Sequence, residues 1–381
     1  MQEFTISTTI CFGEEALKKL GELVDKNILI VCDKFINSSG MVEKVKNYIH
    51  NCNVAVFDEV IPDPTVKIVA MGVQVLKNEN IDLIIALGGG SSIDGAKAIR
   101  EYYNKLNKDH SKKIEFYAIP TTSGTGSEVT EYSVITNEAE HLKYALTSKE
   151  LLPTVAILDA DLIKSVPKSI TADTGMDVIT HAIEAYVSNG ANDFTDAFAE
   201  KAFSLAIENL EKAYLEGENL YYRERMHNAS CLAGLAFNNA GLGITHSLAH
   251  AIGGKLHIPH GKINAIILPY VIEYNSDCKV TSYVGENCNL VTKKYQKLAK
   301  IIGLNSCNPI IGANNLVRYI SELNKKLGIP KNLKELGKNI EDINIFKEEV
   351  YRALEKDVCT KSNPKKVSQE EIYKILDKVI G

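Results

Sequence analysis

Paired cysteine motifs, a surplus of positive charge and long apolar runs are all missing from this sequence, and each absence removes a class of protein. The eight cysteines (Cys11, Cys32, Cys52, Cys231, Cys278, Cys288, Cys307, Cys359) include no CxxC and no tight framework. That pattern points to reduced thiols in a cytoplasmic compartment rather than a disulfide-stapled fold. Lysine and arginine number 43 against 48 acidic residues, a net charge of −5, and the lysines are scattered among glutamates. A nucleic-acid surface needs concentrated cations and is excluded on that ground. No apolar run approaches the roughly 20 residues of a membrane span. The first residues, MQEFTISTTICFG, carry no basic segment leading into an apolar one, so no secretory signal is expected. Internal repeats and low-complexity tails are lacking too. What is present, 381 residues with 45% hydrophobic and 24% charged content, suits a soluble enzyme of two domains.

The first 160 residues alternate between strand-like and helical patterns. KNILIVCD (26–33), NVAVFDEV (53–60), IDLIIALGGG (81–90), IEFYAIPTT (114–122) and TVAILDADLI (154–163) are short apolar runs ending in polar or glycine turns. Helical periodicity lies between them, as in GMVEKVKNYIHN and SSIDGAKAIREYYN. Alternation of this kind predicts a Rossmann-like parallel sheet with helices on both faces, binding its ligand at the carboxyl ends of the strands. Beyond VPKSIT only amphipathic helical patterns follow, at 170–188, 193–216, 220–236, 242–254, 262–275 and 290–303, then 312–327, 344–357 and 368–380. The expected domains are therefore an α/β dinucleotide-binding domain at 1–162 and an all-α domain at 163–381, with the active site in the cleft between them.

LGGGSSID follows a strand and opens a helix. Gly88, Gly89 and Gly90 allow close backbone approach, and the free N–H groups at the helix start, from Ser91 onward, attract phosphate. Asp94 in the first turn complements the helix dipole. A second loop, PTTSGTGSEVT, offers hydroxyls at Thr121, Thr122, Ser123, Thr125 and Ser127 at the end of the next strand. Two such loops could clamp a pyrophosphate, and with no Walker lysine after either, a dinucleotide fits better than a mononucleotide. The spacing is not GxGxxG, so a purely structural turn stays open as the alternative. Asp33 closes the first strand, where a carboxylate could take the adenosine ribose hydroxyls and repel a 2′-phosphate, favouring NAD; a helix N-cap is the competing reading.

Six of the nine histidines fall between His181 and His260. Asp177 and His181 in TGMDVITHAIEAY, and His246 and His250 in GITHSLAHAIGG, are pairs at i and i+4, on one helix face. His260 follows ten residues after His250, between Pro259 and Gly261. An exposed Asp–His helical pair is the bland alternative, but the flanking residues are apolar, and a buried carboxylate is costly unless paired or metal-bound. One acid with three imidazoles suits Fe²⁺ or Zn²⁺. His227 reads as a half-buried helix histidine, and His257 as a candidate near the pocket. His50, His110 and His141 read as solvent histidines.

These segments resemble the iron-containing, or group III, alcohol dehydrogenase family along essentially the whole chain. The match runs through FGEEALKKL, PDPTVKIV, DLIIALGGGSSIDGAKAI, AIPTTSGTGSEVT, LPTVAILDADL and TGMDVITHAIEAYVS to AGLGITHSLAHAIGGKLHIPHGKINAIILP. TADTGMDVITHA, NDFTDAFAEKA and MHNASCLAGLAFNNAGLG are most similar to its propanol dehydrogenase members from propanediol-utilisation systems. The resemblance implies a dehydroquinate synthase-like architecture, with metal ligands Asp177, His181, His246 and His260 and a non-ligand histidine, His250, near the reacting carbon. It implies pyrophosphate contacts at Gly88, Gly89, Gly90 and Ser91, a second cofactor loop at Thr121, Thr122 and Thr125, and a ribose acid at Asp33. Asp94 and Lys143 match cofactor-side positions more loosely. Lys262 departs from the commoner family pattern and is expected to affect the rim of the site.

The implied reaction is NAD-dependent interconversion of small alcohols and aldehydes, with substrate choice set by residues such as Phe237, Leu242 and His257. A homo-oligomer, and association with a bacterial microcompartment, are further expectations of the resemblance. A glycerol dehydrogenase or a dehydroquinate synthase-type lyase would share the architecture, and net NADH consumption with simple aldehydes excludes the lyase. A non-catalytic scaffold inside a metabolic assembly would bind no metal, which elemental analysis decides.

Overall fold

Residues 3–107, 113–138, 142–276 and 288–381 are described by a computed structural model of the chain. They divide into two units, Met1–Val166 with Glu218–Asn238, and Pro167–Gly217 with Asn239–Gly381. The first is α/β. In chain order it holds β1 (Thr9–Phe12), β2 (Asn27–Asp33), α1 (Lys34–Ser38), α2 (Met41–Lys46), β3 (Asn53–Val60) and α3 (Val66–Asn78). There follow β4 (Leu83–Gly88), α4 (Gly90–Leu106), β5 (Glu115–Pro120), β6 (Tyr132–Asn137), β7 (Leu142–Thr147) and β8 (Val155–Leu158). Six strands pair in the order β1-β8-β5-β4-β2-β3, every pair parallel.

Why the strands read as continuous apolar runs is clear from their two covered faces. Ile28, Ile30, Ile85, Leu87 and Ile119 pack on one side with Leu17, Leu20, Val42 and Val45. Leu29, Val31, Ile84, Ala86 and Phe116 pack on the other with Val69, Val73, Ile93 and Ile99. After β2 the chain proceeds outward to β3, and after β4 it proceeds the opposite way to β5. The strand order therefore reverses between β2 and β4, and the crevice at such a reversal is where open α/β sheets bind ligands. Asp33 ends β2 and Gly88 ends β4.

The second unit is helical. It contains α5 (Lys168–Val187), α6 (Asp193–Leu215), the last two residues of α7 (Leu220–Ala240), α8 (Ile244–Leu256) and α9 (His260–Asn275). α10 (Leu290–Ile301), α11 (Pro309–Lys326), α12 (Ile343–Lys356), α13 (Val358–Ser362) and α14 (Gln369–Ile380) complete it. Its helix starts are written in the sequence. Asn192 and Thr195 form a reciprocal capping box on α6, Asn308 caps α11 ahead of Pro309, and Ser368 caps α14.

The domain division differs from the expected 1–162 and 163–381. The break falls at Val166/Pro167, and Glu218–Asn238 groups with the sheet. Three contacts account for that: Arg223 donates to the Val166 carbonyl at 2.8 Å, the Glu131 N–H donates to Asn238 Oδ1 at 2.8 Å, and a Cβ on Gly234 would lie only 2.9 Å from the Gly126 carbonyl oxygen. Hydrophobic periodicity marks α7 as a helix but carries no information about which core it joins. β1 and the antiparallel β6–β7 pair are also absent from the sequence reading. Both are short and partly exposed, so neither shows the apolar run that marks the buried strands. No described helix is long and apolar enough to cross a membrane.

Candidate metal centre and cofactor loops

α5 is buried almost all round, although it carries Asp173, Asp177, Thr180, His181 and Glu184. A buried helix bearing so many polar groups must supply each with a partner; Thr180 donates to the Met176 carbonyl of its own helix, while the partners of Asp173, Asp177 and Glu184 come from α9 and from the start of α8. Asp177 and His181 lie one turn apart on α5, His246 is in the first turn of α8, and His260 is the first residue of α9. Ligand atoms of Asp177, His181 and His246 all lie within 4.8 Å of one another. Asp177 Oδ1 is 3.7 Å from Nε2 of both His246 and His260. The His181 and His246 rings stack at 4.6 Å, and His246 and His260 lie 5.3 Å apart. All four residues expected to bind metal therefore converge.

Asn264, one turn into α9, shows how tight the convergence is. Its Nδ2 sits 2.7 Å from Asp177 Oδ1, 3.2 Å from His246 Nε2 and 3.1 Å from His260 Nε2. An amide has two hydrogens for these three acceptors, and its buried Oδ1 has no hydrogen-bond partner among the described residues. Burial raises the Asp177 carboxyl, but attraction from His181, His260 and His246 and the Asn264 bond bring it below its usual range. Burial first, then its neighbours His181 and His260, holds His246 far below the ordinary imidazole value. An ionised oxygen thus faces the neutral imidazole of His246, and with the nitrogens of His181 and His260 it makes a donor set that fits one divalent ion. Gly261 permits the approach: a Cβ there would meet the Asp173 carbonyl oxygen at 2.1 Å. Gly261→Ala should push α9 off α5, lowering stability by about 1–3 kcal/mol and weakening metal retention, measured by urea melts and metal analysis.

Glu184, which the sequence reading missed, lies two turns after Asp177 on the same helix. Its carboxylate accepts the Gly243 N–H at 2.9 Å, the Thr245 N–H at 2.7 Å and His246 Nδ1–H at 2.7 Å. It caps α8 from another helix and fixes the His246 tautomer so that Nε2 presents its lone pair. A Cβ on Gly243 would stand 2.8 Å from Glu184 Oε1, so the close approach needs glycine. The i, i+7 spacing from Asp177 on a buried face was the available signal.

His250 is the outer member of the cluster. Its ring stacks on His260 at 5.3 Å, and its side chain is 41% exposed. Nδ1 bonds Asp357 Oδ2 at 2.8 Å. Asp357 Oδ1 accepts from the Cys359 N–H and from Ser247. Burial raises the Asp357 carboxyl, but the bond and charge of His250 and the other donors outweigh it and hold the group well below the carboxylate range. Asp357 was also missed, because 107 residues separate it from His250 and no spacing links them. His257 is the left-handed C-cap of α8.

In the first unit the two glycine loops touch. Gly88 pairs with Pro120 across β4 and β5, and the Thr121 N–H donates to the Gly88 carbonyl at 2.9 Å. A Cβ on Gly89 would lie 3.4 Å from Thr122 Oγ1, and one on Gly90 would lie 2.7 Å from Thr125 Cγ2. Gly89 caps α4 with no side-chain bond, which leaves the first-turn amides to a ligand. Ser91 Oγ receives the Asp63 N–H at 3.3 Å. Asp33 does cap α1, taking the Ile36 N–H on Oδ1 at 2.9 Å, so the N-cap reading describes that oxygen.

Asp94 differs from expectation. Ser127 Oγ donates to its Oδ1 at 2.6 Å and the Val134 N–H to its Oδ2 at 2.9 Å. Both oxygens tie α4 to the second loop and to β6, so the acid braces the two glycine loops from within the protein. The side chains of Lys143, His110 and His141 lie outside the described residues. His227 is buried rather than half-buried: burial pushes its imidazole down to about 4, and Nδ1 lies 2.9 Å from Ser123 Oγ.

A parallel sheet with glycine loops at its reversal and a helical unit with an acid-and-imidazole nest place the chain among dehydrogenases of the dehydroquinate synthase-like architecture. The chain belongs to the iron-containing alcohol dehydrogenase family: the family described as "Iron-containing alcohol dehydrogenase" matches residues 7–160, and "Fe-containing alcohol dehydrogenase family, C-terminal" matches 171–380. It is similar to 1-propanol dehydrogenase PduQ of Citrobacter freundii, 38% identical over the full length of both chains. It is 39% identical to an NADPH-dependent butanol dehydrogenase of Clostridium saccharobutylicum, covering 99% of this chain and 97% of that one. The solved structure of a 1,3-propanediol oxidoreductase superposes with a TM-score of 0.89 at 34% identity, covering all of both chains. The protein is an alcohol dehydrogenase of the iron-containing type.

Proposed function

We propose that the protein interconverts short-chain primary alcohols and aldehydes with NAD(H), working chiefly as an aldehyde reductase, for example on propanal. The observation that carries this reading is the convergence of Asp177, His181, His246 and His260, with Asn264 Nδ2 within 3.2 Å of three of their atoms. Asp177 and the Nε2 atoms of the histidines would hold Fe²⁺ or Zn²⁺, and Glu184 would keep His246 in the right tautomer. When bound, the ion supplies Lewis acidity toward the substrate oxygen, and nicotinamide supplies the two-electron acceptor or donor.

The residues of the chain do the rest. Alcohol plus NAD⁺ gives aldehyde, NADH and one proton, so a proton must be moved for each hydride. His250 is suited to that work: Asp357 holds Nδ1, the side chain reaches solvent, and Nε2 is the atom that takes the proton. In the first unit the open amides at the start of α4 would hold the pyrophosphate. Thr121, Thr122 and Thr125 would flank it, and Asp33 Oδ2 would take the ribose hydroxyls. NAD is preferred because a carboxylate there repels a 2′-phosphate; a higher kcat/KM with NADPH would overturn that preference. We place the protein in the cytoplasm as a homo-oligomer, with association to a microcompartment as the setting that its propanol-dehydrogenase relatives suggest.

Anaerobic metal analysis together with an NADH-oxidation screen over two- to four-carbon aldehydes tests the whole reading. One metal per chain and NADH consumption with an aldehyde are expected; a metal-free protein that oxidises no NADH overturns it. Gly89→Val adds branched methyls beside Thr122 Oγ1, at the approach to α4. It should weaken NADH binding at least about tenfold, on the order of 1.4 kcal/mol, with metal content unchanged. Fluorescence titration giving native NADH affinity would count against the pyrophosphate assignment.

A further inference from the structure

Besides the Asp177 centre, the described residues bring together one more group of metal-type donors. His250, Asp357 and Cys359 place an imidazole nitrogen, a carboxylate oxygen and a thiol sulfur within 4.8 Å of one another. Two of the three are held by the start of α13. Asp357 is its N-cap, and the Cys359 N–H bonds back to Asp357 Oδ1 at 2.8 Å. Ser247, on α8, donates to that same oxygen at 3.0 Å. The third donor, His250, swings from the solvent-facing side of α8 and is 41% exposed, so an ion has a way in.

We propose that these three residues form a second metal site, selective for a thiophilic divalent ion such as Zn²⁺, whose occupation shuts off the proton path. Nitrogen, oxygen and sulfur donors from one side, with a position left open, are a zinc-type set. The Asp177 centre contains no sulfur, so the two sites differ in the ions they favour. Ligand atoms around tetrahedral zinc lie closer together than 4.8 Å, and a rotamer adjustment of the exposed His250 supplies the difference. On binding, the Cys359 thiol gives its proton to the buffer. The His250 Nδ1–H bond to Asp357 breaks, Nδ1 ligates the ion, and the ring proton moves to Nε2. No atom changes oxidation state, and the thiolate and carboxylate together balance the charge of the ion. His250 with Nε2 protonated and Nδ1 coordinated can no longer accept the proton of the alcohol.

Binding at this site is independent of the proposed function; only the inhibition rests on it. The test titrates metal-replete enzyme with Co²⁺ under anaerobic conditions, because only cysteine ligation gives a near-ultraviolet thiolate-to-cobalt charge-transfer band. The band should saturate at one added equivalent, be displaced by Zn²⁺, and be absent from both Cys359→Ser and Cys359→Ala. Saturating Zn²⁺ should lower turnover at least tenfold, reversibly with a chelator, whereas Cys359→Ser should lose this sensitivity relative to its own zinc-free rate. No charge-transfer band in the native protein, or a band that survives in both variants, overturns the site. Were the enzyme to oxidise no NADH at all, the functional reading would fall while the cobalt band still reported on these ligands.

Discussion

His260→Ala should yield a folded protein that binds NADH, retains no metal through gel filtration and has lost its turnover. His260 opens α9 with a side chain 41% exposed, so its truncation leaves no core cavity and changes stability little. The lost lone pair is a different matter. Asp177, His181 and His246 remain, all of them buried, but without His260 the proposed ion would have three donors instead of four. Lewis-acid catalysis contributes several kcal/mol to such a reaction, so turnover should fall by a factor of about 10³ or more. Elemental analysis, a urea melt and NADH fluorescence separate the outcomes. Native turnover in a demonstrably metal-free variant would remove the metal from the mechanism.

The strands β2, β4, β5 and β8 were legible because each is buried along nearly its whole length, which forces an apolar run that no other structure explains as well. The nine long helices described after Pro167 were legible from periodicity, since that signal is local. Asp177, His181, His246 and His250 stood out because i, i+4 spacing on an apolar background leaves few alternatives, and the family resemblance singled out Asp177, His181, His246 and His260. Other features depend on contacts between distant segments. Glu184 works as a cap only because α8 starts beside it, Asp357 meets His250 only through α13, and α7 joins the sheet unit through Arg223 and Gly234. Asp94 misled for a related reason. Near the start of α4 it reads in sequence as a partner of the helix dipole, but Ser127 and Val134, from distant segments, take both of its oxygens.

Glu184→Gln should be nearly as damaging as loss of a ligand, although Glu184 touches no metal. Three donors point at the carboxylate, the Gly243 and Thr245 N–H groups and His246 Nδ1–H, all of them buried. A glutamine offers one oxygen and one NH₂, so at least one donor would face another donor inside the protein. Leaving a buried group unsatisfied costs about 1–3 kcal/mol, and the start of α8 loses its cap at the same time. Stability should therefore fall by about 2 kcal/mol or more in apoprotein. His246 is also released to flip its tautomer, which turns an N–H toward the centre, and loss of such an outer partner lowers metal affinity about 10–100-fold. Excess iron should restore part of the turnover, because the four ligands are still present; His260→Ala should show no such rescue. Competition against a calibrated chelator measures the affinity, and a chemical melt of the apoprotein measures the stability. Native values for both in Glu184→Gln would show that the buried carboxylate neither caps α8 nor orients His246.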